Sequence, residues 1–370
     1  MRILHIITSL NTGGAEGMLL RLIEHDKCNT HIVIILSDSG TYIDRLLDSG
    51  IKVYTLKISN ILGLLKGFVK LCFLLRKTKP NIVQTWMYHS DLLGSLAAVI
   101  TRTNNIIWNI RGTSIPQKGI SKTSIVIKIC SVLSAWIPKK IVCCAEVVKS
   151  SHIDIGYAKD NMVVINNGYY ITDNCTENVR EVGRSELDVS NNEIIIGTVG
   201  RFDILKDYEN FISSANKILK EFSNVKFLMV GKGLVNGNRE LVSMIDNIYL
   251  DSFFLIGESS NVNGYLAAMD IYCMSSSKEG FPNAVCEAML TQTPCVVTDA
   301  GDARNIVGNT GIVVPVRDSH ALYTGLKTMI NYNAQKRTKL GQLARVRIRN
   351  NYSINKISNQ YKDLYRGVIK

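Results

Sequence analysis

The sequence predicts an α/β protein built from two doubly wound parallel-sheet domains in tandem. Three observations carry this. Short apolar runs rich in Ile and Val recur along the chain, helical stretches of ten to twenty residues separate most of them, and the pattern stops and restarts once near residues 172–192. Strands spaced by helix-length segments read as βαβ units, whose parallel sheet is covered on both faces. A chain of 370 residues is also long for one domain and suits two.

In chain order, the runs at 4–8, 30–36, 51–56, 82–85, 105–110, 140–144 and 162–165 are the strands of the first domain. Residues 172–192 are rich in Asp, Asn, Glu and Ser and poor in large apolar residues, so they read as a linker. The domains are placed at 1–185 and 186–350. The second set of strands falls at 193–199, 226–230, 253–256, 271–274, 295–298 and 311–314. A tail at 351–370, helical in period with Tyr352, Ile354, Ile357, Tyr361, Leu364 and Tyr365, either closes its own domain or crosses back to the first. No internal repeat or low-complexity tract interrupts this plan.

Composition excludes several classes. Hydrophobic residues make up 46% of the chain, ample for two cores, yet no run of 18 apolar residues is present, so no spanning helix is expected. The first eight residues are too short and end too polar for a signal peptide. Nine cysteines without a Cys-x-x-Cys pair read as reduced thiols of a cytosolic protein, with no structural zinc.

The net charge is +12 and is unevenly spread. Residues 1–185 hold 22 Lys and Arg against 13 Asp and Glu, while 186–370 hold 21 against 18. Seven basic residues and no acid lie between Asp48 and Asp91, and the same holds between Asp91 and Glu146. Within these stretches, 61–77 and 118–140 mix basic with apolar residues and read as helices with a wide apolar face. One such helix is explained by lysines snorkelling from a packed face. Two of them favour a face resting on anionic lipid. Nucleic acid is not expected, since no nucleic-acid module is present and aromatics are not interleaved with the basic residues.

The chemistry concentrates at 279–287. Glu279 precedes the turn Gly280-Phe281-Pro282, and Pro282 suits the first turn of a helix, where its missing N–H goes unused. At about 1.5 Å per residue, Glu287 lies roughly 8 Å further along that helix. The helix start at Asn283, Ala284 and Val285 offers amides and a partial positive charge, so two acceptors flank an anion site. A nucleoside-diphosphate sugar needs those parts. Two glutamates near a helix end are more often solvated, but here the segment follows the apolar run 269–274 and sits at a strand's carboxyl end, where ligands bind in open α/β sheets.

Gly197-Thr198-Val199-Gly200 ends a strand and delivers Arg201 to the same kind of position, with Lys206 five residues on. Arg grips two phosphate oxygens while Lys adds a movable point charge. In the first domain Gly13-Gly14-Ala15-Glu16 follows the first strand and lets backbone approach a ligand. It lacks the Gly-x-Gly-x-x-Gly spacing of a dinucleotide fingerprint, which argues against a dehydrogenase. His89, in a loop before a helix at 92–100, Arg111, and Asn167-Gly168 also follow strands.

With Gly13-Gly14-Ala15-Glu16, Asn167-Gly168, Gly200-Arg201 with Lys206, and Glu279 and Glu287 separated by seven residues, the chain resembles the retaining GT-B glycosyltransferases of the family 4 type, which include bacterial capsule, O-antigen and exopolysaccharide enzymes. The resemblance covers nearly the whole length. It implies the GT-B fold, two Rossmann-like domains facing across a cleft, with the acceptor side in the first and the nucleotide-sugar donor in the second. It implies that Arg201 and Lys206 neutralise the donor diphosphate and that Glu287 holds the ribose. Glu279, with the backbone of Gly280 and Phe281, would hold the sugar, with Pro282, Asn283, Ala284 and Val285 at the phosphate end of the helix. Gly14 would approach the diphosphate, His89 the reacting face of the sugar, and Glu258, after Gly257, the nucleobase. Gly13, Arg111 and Asn167 fall on the acceptor side.

The implied reaction keeps anomeric configuration, the departing diphosphate accepting the acceptor's proton while Arg201, Lys206 and the helix start stabilise its charge. No Asp-x-Asp occurs, so neither metal nor other cofactor is expected. A UDP-sugar is favoured over a GDP-sugar, and the acceptor implied is a lipid-linked oligosaccharide at the cytoplasmic face of the inner membrane. A nucleotide-sugar epimerase of similar fold and a non-enzymatic sugar-nucleotide sensor are the competing readings. The first would need acid/base carboxylates, the second no intact donor set.

Overall fold

The computed structural model describes residues 1–113, 121–171, 177–190 and 192–369. Two units divide the chain, one holding Met1–Tyr170 and the chain from Tyr352 onward, the other Ile171–Asn351.

The first unit is built on a parallel sheet of seven strands, β1 (Arg2–Ile7), β2 (Thr30–Ile35), β3 (Lys52–Thr55), β4 (Ile82–Trp86), β5 (Ile106–Ile110), β6 (Lys140–Cys143) and β7 (Met162–Val164), in the order β3-β2-β1-β4-β5-β6-β7. The central strands β4 and β5 are buried at every position, as a sheet covered on both faces requires. The second unit has six parallel strands, β8 (Ile194–Val199), β9 (Val225–Val230), β10 (Phe253–Gly257), β11 (Ile271–Met274), β12 (Cys295–Thr298) and β13 (Ile312–Val314), in the order β10-β9-β8-β11-β12-β13. Each run that the sequence marked as a strand forms one.

Strand order locates the ligand-binding edge of each unit. The chain winds outward from β1 through β2 and β3, then returns to pair β4 on the other side of β1. The second unit repeats this with β8 between β9 and β11. At such a reversal the loops after the two adjacent strands diverge and leave a crevice at the carboxyl ends.

The boundary lies earlier than the composition placed it. The chain enters the second unit at Ile171, not near residue 185. Of the presumed linker, residues 172–176 and 191 lie outside the described residues, but Glu177–Glu186 is a helix packed on Val262–Ala268. Arg180 and Arg184 bind the two oxygens of Asp270 at 2.6 and 3.0 Å, and Arg180 also donates to the carbonyls of Ala267 and Met269. The polar composition there reflects an arginine clamp on a helix end rather than a lack of packing.

The C-terminal helix Ile354–Ile369 belongs to the first unit. Tyr361 and Tyr365 are wholly buried, their hydroxyls donating to Asn109 at 3.1 Å and Gln84 at 2.5 Å. Backbone bonds from Tyr169 to Tyr352 and from Ile354 to Tyr169 anchor its start. Gly168 permits this. A Cβ there would lie 2.9 Å from Ile354 Cδ1 and 3.0 Å from Ile357 Cβ.

Of the two basic, apolar stretches, the first is the helix Ile61–Thr78. The second forms a shorter helix, Lys122–Leu133, and Lys118 lies outside the described residues. Tyr88–Ile100 packs between them. Among the described residues, no helix is long and apolar enough to cross a membrane.

Candidate active site

In the second unit the loops after β8 and β11 meet. Arg201 leaves the end of β8 with its side chain 71% exposed, and its Nε donates to Asp203 at 3.0 Å. Asp203 in turn accepts the Leu205 N–H, the main cause of its lowered pKa, and caps a short turn, Ile204–Lys206. That turn carries Lys206 back across the crevice, where Nζ donates to Glu279 Oε1 at 2.7 Å. Lys206 of one sequence motif and Glu279 of the other are thus an ion pair, its members 28% and 14% exposed.

The serines after β11 hold the two loops together. Ser275 Oγ donates to the Lys206 carbonyl at 2.8 Å, and the Ser277 N–H donates to the Leu205 carbonyl at 2.9 Å. Ser276 Oγ donates to Glu279 Oε1 at 2.7 Å. Behind Glu279, the Asp302 N–H donates to the Gly280 carbonyl at 3.1 Å, and Gly301, at φ +62°, lies where a Cβ would be 2.8 Å from the Glu279 carbonyl carbon. Only glycine allows that approach without strain.

The helix that follows is Asn283–Leu290, with Pro282 as its N-cap, one residue before the position expected for it. The Val285 N–H turns back to the Pro282 carbonyl at 3.2 Å and its side chain is fully buried, so Val285 serves the core. Asn283 and Ala284 line a small pocket of about 20 Å³ together with Lys206, Ser276, Glu279 and Pro282. Phe281 is buried, Gly280 and Glu287 are half-buried, and Glu258 is exposed beyond the end of β10. Tyr208 presses on the floor, its hydroxyl donating to the Gly200 carbonyl at 3.1 Å, and burial raises its pKa.

The corresponding edge of the first unit is built differently. Gly13 caps the helix Gly14–His25 and both glycines are exposed. The Glu16 side chain folds back over Gly13, where an added Cβ would meet its carboxylate, and burial raises the Glu16 pKa. His89 is half-buried in the first turn of Tyr88–Ile100, not in a loop before a helix at 92. The helix starts early because Met87, at φ +69°, turns the chain directly out of β4.

Arg111 and Asn167 turn inward. Arg111 donates to the Ile165 carbonyl at 3.0 Å, Asn167 Oδ1 at 3.0 Å and Asn109 Oδ1 at 2.8 Å, and also bonds the Tyr361 hydroxyl. Its guanidinium stands 5.4 Å from the Trp86 ring. Asn167 is buried. These two residues, expected on the acceptor side, tie three strand ends to the C-terminal helix. Sequence reasoning missed Asp203, Ser275 and Ser276, and only the run of three small polar residues after a strand signalled the serines.

Residues 193–331 match the family model described as glycosyl transferases group 1. HepE of Anabaena in complex with UDP superposes with a TM-score of 0.87 at 20% identity, covering 99% of this chain and 100% of HepE. A glycosyltransferase from Rickettsia africae gives 0.85 at 20%, covering 100% and 98%. Residues 193–331 thus form a glycosyl transferases group 1 domain, and the chain as a whole has the GT-B fold. Among curated relatives, the chain is 26% identical over 317 residues to the capsular polysaccharide biosynthesis glycosyltransferase CapM of Staphylococcus aureus, covering 83% of the chain and 82% of CapM. It is 23% identical over 347 residues to an Escherichia coli UDP-Gal:alpha-D-GlcNAc-diphosphoundecaprenol alpha-1,3-galactosyltransferase, covering 91% and 89%.

Proposed function

We propose that this protein is a glycosyltransferase that moves a sugar from a UDP-sugar to a lipid-linked glycan acceptor in bacterial surface polysaccharide synthesis, with retention of configuration and without a metal. The observation that carries the reading is the Lys206–Glu279 pair at the β8/β11 crevice, beside the start of Asn283–Leu290. An incoming diphosphate finds a mobile ammonium, the exposed Arg201 guanidinium and the helix end, groups suited to the charge that develops on a leaving diphosphate. Glu279, held by an ammonium and a hydroxyl, is an acceptor for sugar hydroxyls rather than a nucleophile, which favours front-face departure over a covalent glycosyl intermediate. The fixed positive groups take the place of a cation. UDP is favoured because HepE was solved with UDP and the E. coli relative uses UDP-Gal. The lipid-linked acceptor follows the same relative, whose acceptor is a diphosphoundecaprenol sugar.

The first unit supplies the membrane contact. Its helices Ile61–Thr78, Tyr88–Ile100 and Lys122–Leu133 lie side by side and leave Leu65, Val69, Phe73, Val99 and Ile129 exposed, with Trp136 just beyond at 85%. Lysines 66, 70, 77, 122 and 128 lie among them. An apolar ridge set in positive charge fits an anionic bilayer surface.

The test is incubation with radiolabelled UDP-sugars and an undecaprenyl-diphosphate-linked sugar in vesicles, with and without EDTA. Acceptor-dependent UDP release that survives EDTA, and a product anomer matching the donor by NMR, are expected. An isomerised sugar nucleotide formed without acceptor would replace this reading by an epimerase. Intact polymer synthesis by Arg201→Ala and Glu279→Ala would replace it by a sensor. For the membrane contact, vesicle binding should need anionic lipid, weaken with salt, and fall on Phe73→Ser with Trp136→Ser.

A further inference from the structure

We propose that Ser276 is a positioning residue for the donor sugar, fixing Glu279 independently of Lys206. The proposal rests on reading this crevice as the donor site, in which Glu279 meets the sugar. Glu279 Oε1 accepts two hydrogen bonds of equal length, 2.7 Å from Lys206 Nζ and 2.7 Å from Ser276 Oγ. The two donors differ in every other respect.

Lys206 is a long side chain on the turn after β8 and is 28% exposed. A diphosphate entering the crevice competes for its ammonium, so the bond to Glu279 is the one that donor binding disturbs. Ser276 carries no charge that a diphosphate would attract and is 1% exposed. Its backbone is held from below, where Thr298 Oγ1 donates to the Ser276 carbonyl at 2.6 Å. With Asp302 on the Gly280 carbonyl and Gly301 against the Glu279 backbone, Ser276 is the side-chain part of a rigid cradle. When Lys206 turns toward phosphate, Ser276 keeps the carboxylate aimed at the sugar. Preorganisation of this kind is expressed in sugar-dependent binding and turnover, not in affinity for the nucleotide alone.

Calorimetric titration of the full chain with UDP, UDP-glucose and UDP-galactose tests this, alongside steady-state kinetics with whichever sugar nucleotide binds. Loss of one hydrogen bond to a charged group corresponds to about a tenfold change. Ser276→Ala is therefore expected to weaken the sugar nucleotide about tenfold and lower kcat, with UDP affinity changed less than twofold. Ser276→Thr, which keeps the hydroxyl, should recover most of the loss. If Ser276→Ala loses its fold, Ser276→Cys carries the same comparison with a weak donor of similar size. Equal losses for UDP and the sugar nucleotide, or no loss for either, overturn the proposal and leave the donor site standing. A wild-type chain that binds none of the three ligands removes the donor reading and this proposal with it.

Discussion

The two units share a winding pattern and differ in what they do with polar residues at the strand ends. In the second unit, Arg201, Lys206 and Glu279 stand at the β8/β11 crevice with exposed or half-exposed heads, and serines and a turn brace them from behind. In the first, Arg111 and Asn167 occupy the same kind of position after β5 and β7 but bond to each other, to Asn109 and to Tyr361 of the C-terminal helix. A charged residue after a parallel strand is therefore no ligand contact by position alone. What distinguishes the cases is whether another element returns to cover the strand end, and the helix Ile354–Ile369 does so in the first unit.

The largest expected effect separates charge used for chemistry from charge used for scaffolding. Lys206→Ala should lower kcat about 10²- to 10³-fold, the magnitude for removing one preorganised charge stabiliser, with near-unchanged urea unfolding. Arg111→Ala should do the reverse. It strands acceptors on Asn109, Asn167 and Ile165, costing about 3 kcal/mol of stability. All three tryptophans, Trp86, Trp108 and Trp136, lie in the first unit, so fluorescence-monitored urea unfolding reads that loss directly. Arg201→Ala, exposed, should stay within about 0.5 kcal/mol on the same assay. Equal stability losses for Arg111 and Arg201 would break the comparison.

The fold was legible because buried parallel strands are written as continuous apolar runs, and all thirteen stand where the runs stand. Glu279, Lys206 and the helix after Pro282 were legible as candidates by residue type, since the proposed diphosphate-sugar donor calls for a cation, acceptors and a helix start. Their mutual pairing was not, because a contact between residues 206 and 279 depends on β8 and β11 being neighbours, which no local spacing encodes. The inward turn of Arg111 was hidden for the same reason. Its partner Tyr361 lies 250 residues away, and the tail's period fitted either unit. Residues 177–186 misled in the opposite sense, because a helix whose arginines satisfy backbone carbonyls has the composition of a linker.

A smaller effect concerns titratable groups buried in the first unit. Asp91 is fully buried against Thr85, whose hydroxyl donates to Oδ1 at 2.5 Å, and burial raises its pKa to about 7. The unfolded carboxyl titrates near 3.9. The fold therefore holds a proton that the unfolded chain has lost, and this contribution, full below about pH 4, disappears as pH rises through 7. His5 and His152 act oppositely. Burial lowers both, so the unfolded chain binds protons below about pH 6.5 that the fold refuses, and stability falls on acidification. Asp91→Asn removes only the alkaline loss. The stability gap between Asp91→Asn and wild type, read by tryptophan fluorescence, should widen between pH 5 and pH 8, on the order of a few kcal/mol.

The smallest effect tests whether the C-terminal helix is what turns the first unit's strand ends inward. Gly168→Ala places a methyl 2.9 Å from Ile354 Cδ1 and 3.1 Å from the Ile354 Cα. Ile354 Cδ1 can rotate away, but its Cα cannot without shifting the helix start, so a cost of about 1–2 kcal/mol is expected, as for a modest overpacking. A shift there propagates to Tyr361 and so to Arg111, whereas Lys206 and Glu279 lie in the other unit. Gly168→Ala should therefore lower the first unit's unfolding midpoint and raise amide exchange in Ile354–Ile369, with UDP titration unchanged. Stability losses of Gly168→Ala and Arg111→Ala that fall short of additive in the double variant would show that both act through the same docked helix. Strict additivity would mean that Arg111 holds the strand ends without it.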